Sequence, residues 1–156
     1  MMREEESERG APIGPLDWRR ILPFAPAAAS DRLGWVGLAA ARCRAEPAFE
    51  LHVPALTHHR LVFVARPPEA LDLRYDGVKR HIPPPTGSIV LVPADSPVWG
   101  RSSGCKDELH IFWEAGWVER VAAEAFDLDP ARPTIPPLTA WTCRTCGPRW
   151  GRWTPS

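Results

Sequence analysis

Short apolar runs cut by prolines set the rhythm of this chain. His59 to Ala65 carries the run Arg-Leu-Val-Phe-Val-Ala after a histidine pair and stops at Arg66-Pro67-Pro68, which predicts a buried strand. Leu71, Leu73 and Tyr75 alternate with Asp72 and Arg74; after Asp76-Gly77 the alternation resumes, with Val78, Arg80 and Ile82 set against Lys79 and His81. Period two on both sides of an Asp-Gly pair predicts a β-hairpin, because those residues accept the positive φ angles of a two-residue turn. Ser88 to Val92 reads as a further strand ended by Pro93. Pro97 to Arg101 and Glu108 to Trp113 read as another pair joined through Ser102-Ser103-Gly104, and so short a connection implies antiparallel neighbours.

The period then changes. Trp117, Val118, Val121, Ala122, Ala125 and Phe126 recur at helical spacing opposite Glu119, Arg120 and Glu124, and Asp129-Pro130 closes the helix. Strands followed by one amphipathic helix predict a mainly β chain: an antiparallel barrel or sandwich with a C-terminal amphipathic helix.

Upstream the pattern is weaker. Leu38-Ala-Ala-Ala-Arg favours helix by propensity while Gly34 and Gly37 oppose it, so residues 31 to 45 stay open between helix and strand. From Pro15 to Ser30, Trp18, Ile21, Leu22 and Phe24 form an apolar cluster, too broken by Pro15, Pro23 and Pro26 for a long helix. The first residues are acid-rich with little to bury. Residues 1–30 are therefore expected to be a flexible tail or a docking arm.

Composition narrows the class. The chain has 156 residues, 44% of them apolar, which suits one domain with a real core. Nineteen prolines favour short strands and turns over long helices. Nineteen basic residues balance nineteen acidic ones, so no overall field draws the chain to nucleic acid or to an anionic membrane. No run approaches the roughly 18 to 20 apolar residues of a membrane span, and the start lacks the apolar stretch of an export signal. A cytoplasmic location with Cys43, Cys105, Cys143 and Cys146 reduced is expected.

The last stretch breaks the pattern. Trp141 to Pro155 reads WTCRTCGPRWGRWTP, holding three of the eight tryptophans and two of the four cysteines. Every Trp and Cys codon begins with TG, so reading one base earlier turns those five positions into Leu, Met or Val and restores helical periodicity. The expectation is a frameshift near residue 139, with residues 138–156 an aberrant, disordered tail on a truncated gene product. Resequencing the DNA tests this: an uninterrupted parental frame ending at Ser156 with no helix-coding continuation would sink it.

GWVGLAAARCRAEP, THHRLVFVARPP and the stretch from PPPTGSIVLVPADSPVWG to Leu138 together resemble the N-terminal regulatory domain of the AraC/XylS family of bacterial transcriptional regulators. Residues 34 to 138 carry the likeness, most clearly in Gly87, Pro93-Ala94, the Pro97-x-Trp99 strand and the L-H-I-F strand running into a helix. The resemblance implies a cupin-type β-barrel over 31–137 that binds a small-molecule effector or mediates homodimerisation. It also tips residues 37 to 44 toward strand. The helix-turn-helix units that read DNA in that family lie beyond this sequence, so no direct nucleic-acid contact is expected.

Three constellations bear on chemistry. Enzymatic cupins hold a metal with a His-x-His, a Glu and a later His; here His58 and His59 are adjacent and so point to opposite faces, and Asp95 and Val98 stand near where Gly and His belong. No metal or cofactor is expected, and Cys143-x-x-Cys146 lacks a second pair. Glu108 and His110 share one strand face, as an acid/base pair or as a solvated pair on an edge strand. Trp35, Trp99, Phe112 and Trp113 either line a cavity or pack a core. If the barrel is hollow, the ligand is expected at His59, Trp99, His110 and Phe112. The face formed by Trp117, Val118, Val121 and Ala125 serves either a dimer interface or packing on its own sheet.

The leading expectation is an effector-sensing and dimerisation domain that is not an enzyme. A metal-dependent cupin-fold enzyme and a non-functional fragment are the alternatives.

Overall fold

The computed structural model describes residues 10–45, 48–75, 77–127, 129 and 138–141. Its elements in chain order are α1 (Pro15–Ile21), β1 (Ala28–Ala29), β2 (Leu38–Ala45), β3 (Phe49–Val53), β4 (His58–Arg66), β5 (Ala70–Tyr75), β6 (Val78–Arg80), β7 (Ile89–Val92), β8 (Val98–Ser103), β9 (Lys106–Glu114), α2 (Ala115–Phe126) and β10 (Leu138–Trp141). One sheet runs β1-β2-β9-β4-β7-β10 and the other β3-β8-β5-β6, and every strand pairing within them is antiparallel.

From β2 to β9 the chain passes from sheet to sheet at every step except the β5–β6 hairpin, so that β2-β9-β4-β7 faces β3-β8-β5-β6. That order is the jelly-roll, or double-stranded β-helix, which is the cupin-like barrel expected from the sequence. Inward residues of the two sheets form one core, with Val53, Val62, Val64, Val90, Val92, Val98, Tyr75 and Phe112 buried.

Several expected elements form as read. The hairpin β5–β6 pairs Tyr75 with Val78, and Gly77 takes a φ of 73° in the turn. The ambiguous stretch after Gly37 is strand β2, held along its length by the central strand β9. The helix begins directly at the end of β9.

One expected pairing is corrected. β8 and β9 follow each other closely yet lie in different sheets, β8 between β3 and β5 and β9 between β2 and β4. Gly104, at a φ of 80°, makes the corner that carries the chain across the barrel rim instead of closing a hairpin. A Cβ at Gly104 would stand 2.5 Å from Glu69 Cγ and 2.8 Å from its Cβ. Gly104→Ala is therefore expected to lower the unfolding free energy by about 1–3 kcal/mol through strained φ and the clash. Urea titration checks it, and an unchanged midpoint would contradict the corner described.

Strand β3 had no clear sequence signal, and it forms the edge of its sheet beside β8. Leu138 and Trp141 of β10 pair with Leu91 and Ile89 of β7. The rest of the unusual tail, including Cys143 and Cys146, lies outside the described residues, as do residues 1–9.

Residues 13–30 are docked on the barrel. Ile13 N–H donates to Ala55 O at 2.9 Å, Thr57 N–H donates to Ile13 O at 3.0 Å, and β1 adds to β2. Between these anchors Pro15 opens α1 at its first turn, where a missing N–H costs nothing, with Asp17 in the first turn and Arg19 and Arg20 in the last. The helix carries Trp18, 2% exposed, into the barrel.

Candidate functional site

Strand β9 decides what fills the barrel. As the central strand it is covered on both edges, and alternation sends Lys106, Glu108, His110 and Phe112 inward. Beside them on β2 stand Ala39, Ala41 and Cys43, in register with Phe112, His110 and Glu108. On the other side β4 offers Arg60, Val62 and Val64, in register with Phe112, His110 and Glu108. Small residues on one flank and valines on the other leave room for the polar side chains of β9 and for the Trp18 indole.

The remaining space is a cavity of about 110 Å³, lined by Trp18, Cys43, Arg60, Val62, Val64, Val90, Ser102, Lys106, Glu108 and His110, with Phe24, Phe49 and Leu51 among its apolar walls. An engineered apolar cavity of comparable size, about 150 Å³, takes up benzene. The space is therefore on the scale of a small organic molecule.

Trp18 packs its ring 5.0 Å from His110 and 4.8 Å from Phe112, centroid to centroid, and the Arg60 guanidinium carbon lies 5.9 Å from the indole. Lys106 Nζ donates to Glu108 Oε2 at 2.8 Å, and His110 Nε2 lies 3.2 Å from the same oxygen. Burial by itself would push the Glu108 carboxyl up; the Lys106 ammonium and the His110 hydrogen bond outweigh it and bring it down to about 2. Burial lowers His110, keeping the imidazole neutral at neutral pH. Because Glu108 is ionised and can only accept, the neutral ring carries its proton on Nε2 and leaves Nδ1 as an acceptor.

Burial also lowers Arg60, to about 10, which still leaves it charged at neutral pH. The charged groups of the cavity are thus Arg60 and Lys106 against Glu108, with Arg101 at its margin. Cys43 is pushed up to about 11, chiefly by burial, so its thiol is unreactive. Four buried polar atoms on lining residues have no hydrogen-bond partner among the described residues: Trp18 Nε1, Arg60 Nε, His110 Nδ1 and Ser102 Oγ. Such atoms are rare in folded proteins and costly to leave unmet.

The four residues expected at the ligand divide evenly. His110 lines the cavity, and Phe112, 1% exposed, lies beneath the rings of Trp18 and His110. His59 and Trp99 have the opposite parity and face outward. His59 Nδ1 accepts the Ala94 N–H at 2.9 Å and its ring lies 5.8 Å from Trp113, tying β4 to the segment after β7. Trp99 sits outside β8, its indole N–H donating to Glu50 at 2.9 Å, with Arg74 4.9 Å and Arg101 5.9 Å from its ring. Trp35 is half exposed.

The Glu108–His110 pair is corrected from a solvated edge-strand pair to a buried pair at the centre of a sheet. Arg60 is the residue that sequence reasoning missed. Its signal was a charged side chain sharing strand parity with Val62 and Val64. On α2, Trp117 and Ala125 are exposed, whereas Val118 and Val121 are half-buried.

The ionisations give the barrel a defined acid response. The folded carboxyl of Glu108 lies below its ordinary 4.5, so its contribution is complete above about 4.5 and is lost as pH falls toward 2. His58, His59 and His110 are lowered mainly by burial, so protonation favours the unfolded chain as pH falls below 6.5. Urea midpoints measured from pH 7 to 2.5 are expected to fall in two stages, and Glu108→Gln should flatten the stage below 4.5. Equal slopes in the two proteins would contradict the buried ion pair.

The metal set of enzymatic cupins does not fit these residues. His58 Nδ1 lies 2.8 Å from Thr57 Oγ1, His59 faces outward, and buried Val98 stands near the position of the last histidine. Among the described residues no group of three or more His, Cys, Asp or Glu is placed to hold a metal ion. No helix among them is long and apolar enough to cross a membrane.

No protein-family model matches the chain, and no curated protein matches it in sequence. Among solved structures it is similar to the plu4264 protein of Photorhabdus luminescens, at 17% identity and a TM-score of 0.42, over 53% of this chain and 71% of that one. The EutQ protein of Clostridium difficile matches at 17% identity and a TM-score of 0.36, over 51% of this chain and 59% of that one. A Cupin 2 conserved barrel domain protein from Salinispora arenicola matches at 16% identity and a TM-score of 0.39, over 56% and 72% respectively.

Proposed function

We propose that this chain is a small-molecule sensing domain whose ligand occupies the cavity inside the barrel, and that it binds without catalysing a reaction. The observation that carries the reading is the coincidence of an interior cavity with four unpartnered buried polar atoms on the residues of its wall. Recognition sites are mostly apolar with a few fixed polar groups, and this lining has that character. The sequence resemblance of residues 34 to 138 to AraC-type regulators supports a regulatory role, in which the bound effector is read out through a homodimer. The exposed part of α2 around Trp117 and Ala125 is the face we assign to that dimer.

A small-molecule panel read by thermal unfolding tests the binding reading. A ligand present at about a hundred times its Kd should raise the melting temperature by about 5 to 10 °C. Val62→Phe, which fills the cavity beside His110, should fold and lose the response. A panel member that stabilises both proteins equally would place binding elsewhere and overturn the proposal.

A further inference from the structure

The unpartnered atoms of the cavity differ in kind, and the difference specifies a ligand. Arg60 Nε–H is a donor on a permanent cation, 6% exposed, and no carboxylate among the described residues is hydrogen-bonded to it. Glu108, the acid nearest in the lining, already receives Lys106 and His110 on one oxygen. His110, also 6% exposed, turns Nε2–H to Glu108 and so presents Nδ1 as a bare acceptor. A water molecule can meet either atom singly, but an anion is the partner that also offsets the buried charge of Arg60.

The two atoms lie within reach of one small molecule. Val62 is directly opposite His110 across the β4–β9 ladder, and Arg60 is two residues before it on the same face. Diagonal neighbours of this kind stand about 7–8 Å apart at their backbones. Trp18 touches both, with its ring 5.0 Å from His110 and 5.9 Å from the Arg60 guanidinium carbon. The rest of the wall between them comes from Val62, Val90 and the ring of Trp18, and is apolar except for the buried, unpartnered indole N–H of Trp18.

We infer that the ligand is a small hydroxy acid: its carboxylate accepts from Arg60 Nε–H, its hydroxyl donates to His110 Nδ1, and its short apolar body lies against Val62, Val90 and Trp18. This deepens the binding reading above and rests on it. Ser102 Oγ supplies a further hydrogen-bonding group on the opposite sheet.

The probes are 2-hydroxy and 3-hydroxy acids of four to six carbons, each compared with its amide and with the acid lacking the hydroxyl. Calorimetric titration of the wild-type chain should show the amide binding about ten- to a hundredfold more weakly than the acid, and the deoxy acid about tenfold more weakly. Arg60→Met should erase the preference for acid over amide while keeping the preference for hydroxyl. His110→Phe should do the reverse. Arg60→Met should melt no lower than wild type without ligand, because it removes a buried charge whose Nε–H is unpartnered.

Several outcomes would overturn the inference. Amides binding as tightly as acids to the wild-type chain, in a manner abolished by Val62→Phe, would refute the hydroxy-acid class and leave the binding cavity standing. Arg60→Met and His110→Phe shifting all probes alike would refute the assigned roles. Binding by no acid, amide or deoxy acid would overturn the ligand class, while the small-molecule panel above decides the sensing barrel separately; the wild-type comparison needs no variant to fold.

Discussion

Replacing Trp18 by alanine is expected to cost about 3–5 kcal/mol of stability, among the largest effects of any single substitution in this chain. The indole is 2% exposed although it belongs to a seven-residue helix outside both sheets, so its burial comes entirely from the barrel it enters. It lies against His110 and Phe112 and over Arg60. Removing it opens the cavity on the side of α1 and leaves that helix without its buried anchor. Urea unfolding checks this, read as a lower midpoint with the slope little changed. A loss under about 1 kcal/mol would mean that α1 is not seated in solution.

Glu108→Ala is the second large effect, about 3–5 kcal/mol, because one carboxylate serves two partners inside the barrel. The ammonium of Lys106 and the guanidinium of Arg60 would remain in the interior with no acid between them. Removing the Lys106 charge as well should recover part of the loss. In the double variant Glu108→Ala with Lys106→Met, the summed single effects are expected to exceed the measured one by about 1–3 kcal/mol. Strict additivity would contradict the pairing. Glu108→Gln keeps the shape and both hydrogen-bond positions, so it should cost less than alanine.

The sequence carried the barrel further than it carried the site. A short apolar run marked β4, period-two alternation marked β5 and β6, and the switch to helical spacing after Trp113 marked the β9–α2 junction, because such patterns are local. The partner of a strand is not local. Gly104 looked like a hairpin turn, yet a jelly-roll sends β8 and β9 to different sheets, and no residue between Ser102 and Lys106 records that choice.

Parity had the same limit. It separates two faces of a strand without saying which one is inside. On β8 the aromatic Trp99 suggested the inner face, but Val98, Gly100 and Ser102 occupy it and Trp99 stands outside between two arginines. On β9 the polar pair Glu108-x-His110 suggested a solvated edge strand, but the strand is central and that face looks onto the β3-β8-β5-β6 sheet across the cavity. Arg60 was hidden for a related reason. A charge at the start of an apolar run ordinarily reads as exposed, and only the burial of its side of the strand, with Val62 and Val64, shows it to be a lining group.

The most direct test of ligand binding inside the barrel is nuclear magnetic resonance of the Arg60 Nε–H and the His110 ring during titration with the hydroxy acids above, with the Trp99 indole as the outer-face reference. A ligand seated in the cavity should move the Arg60 and His110 signals together and leave Trp99 in place. Binding that shifts Trp99 while Arg60 and His110 stay fixed would contradict it.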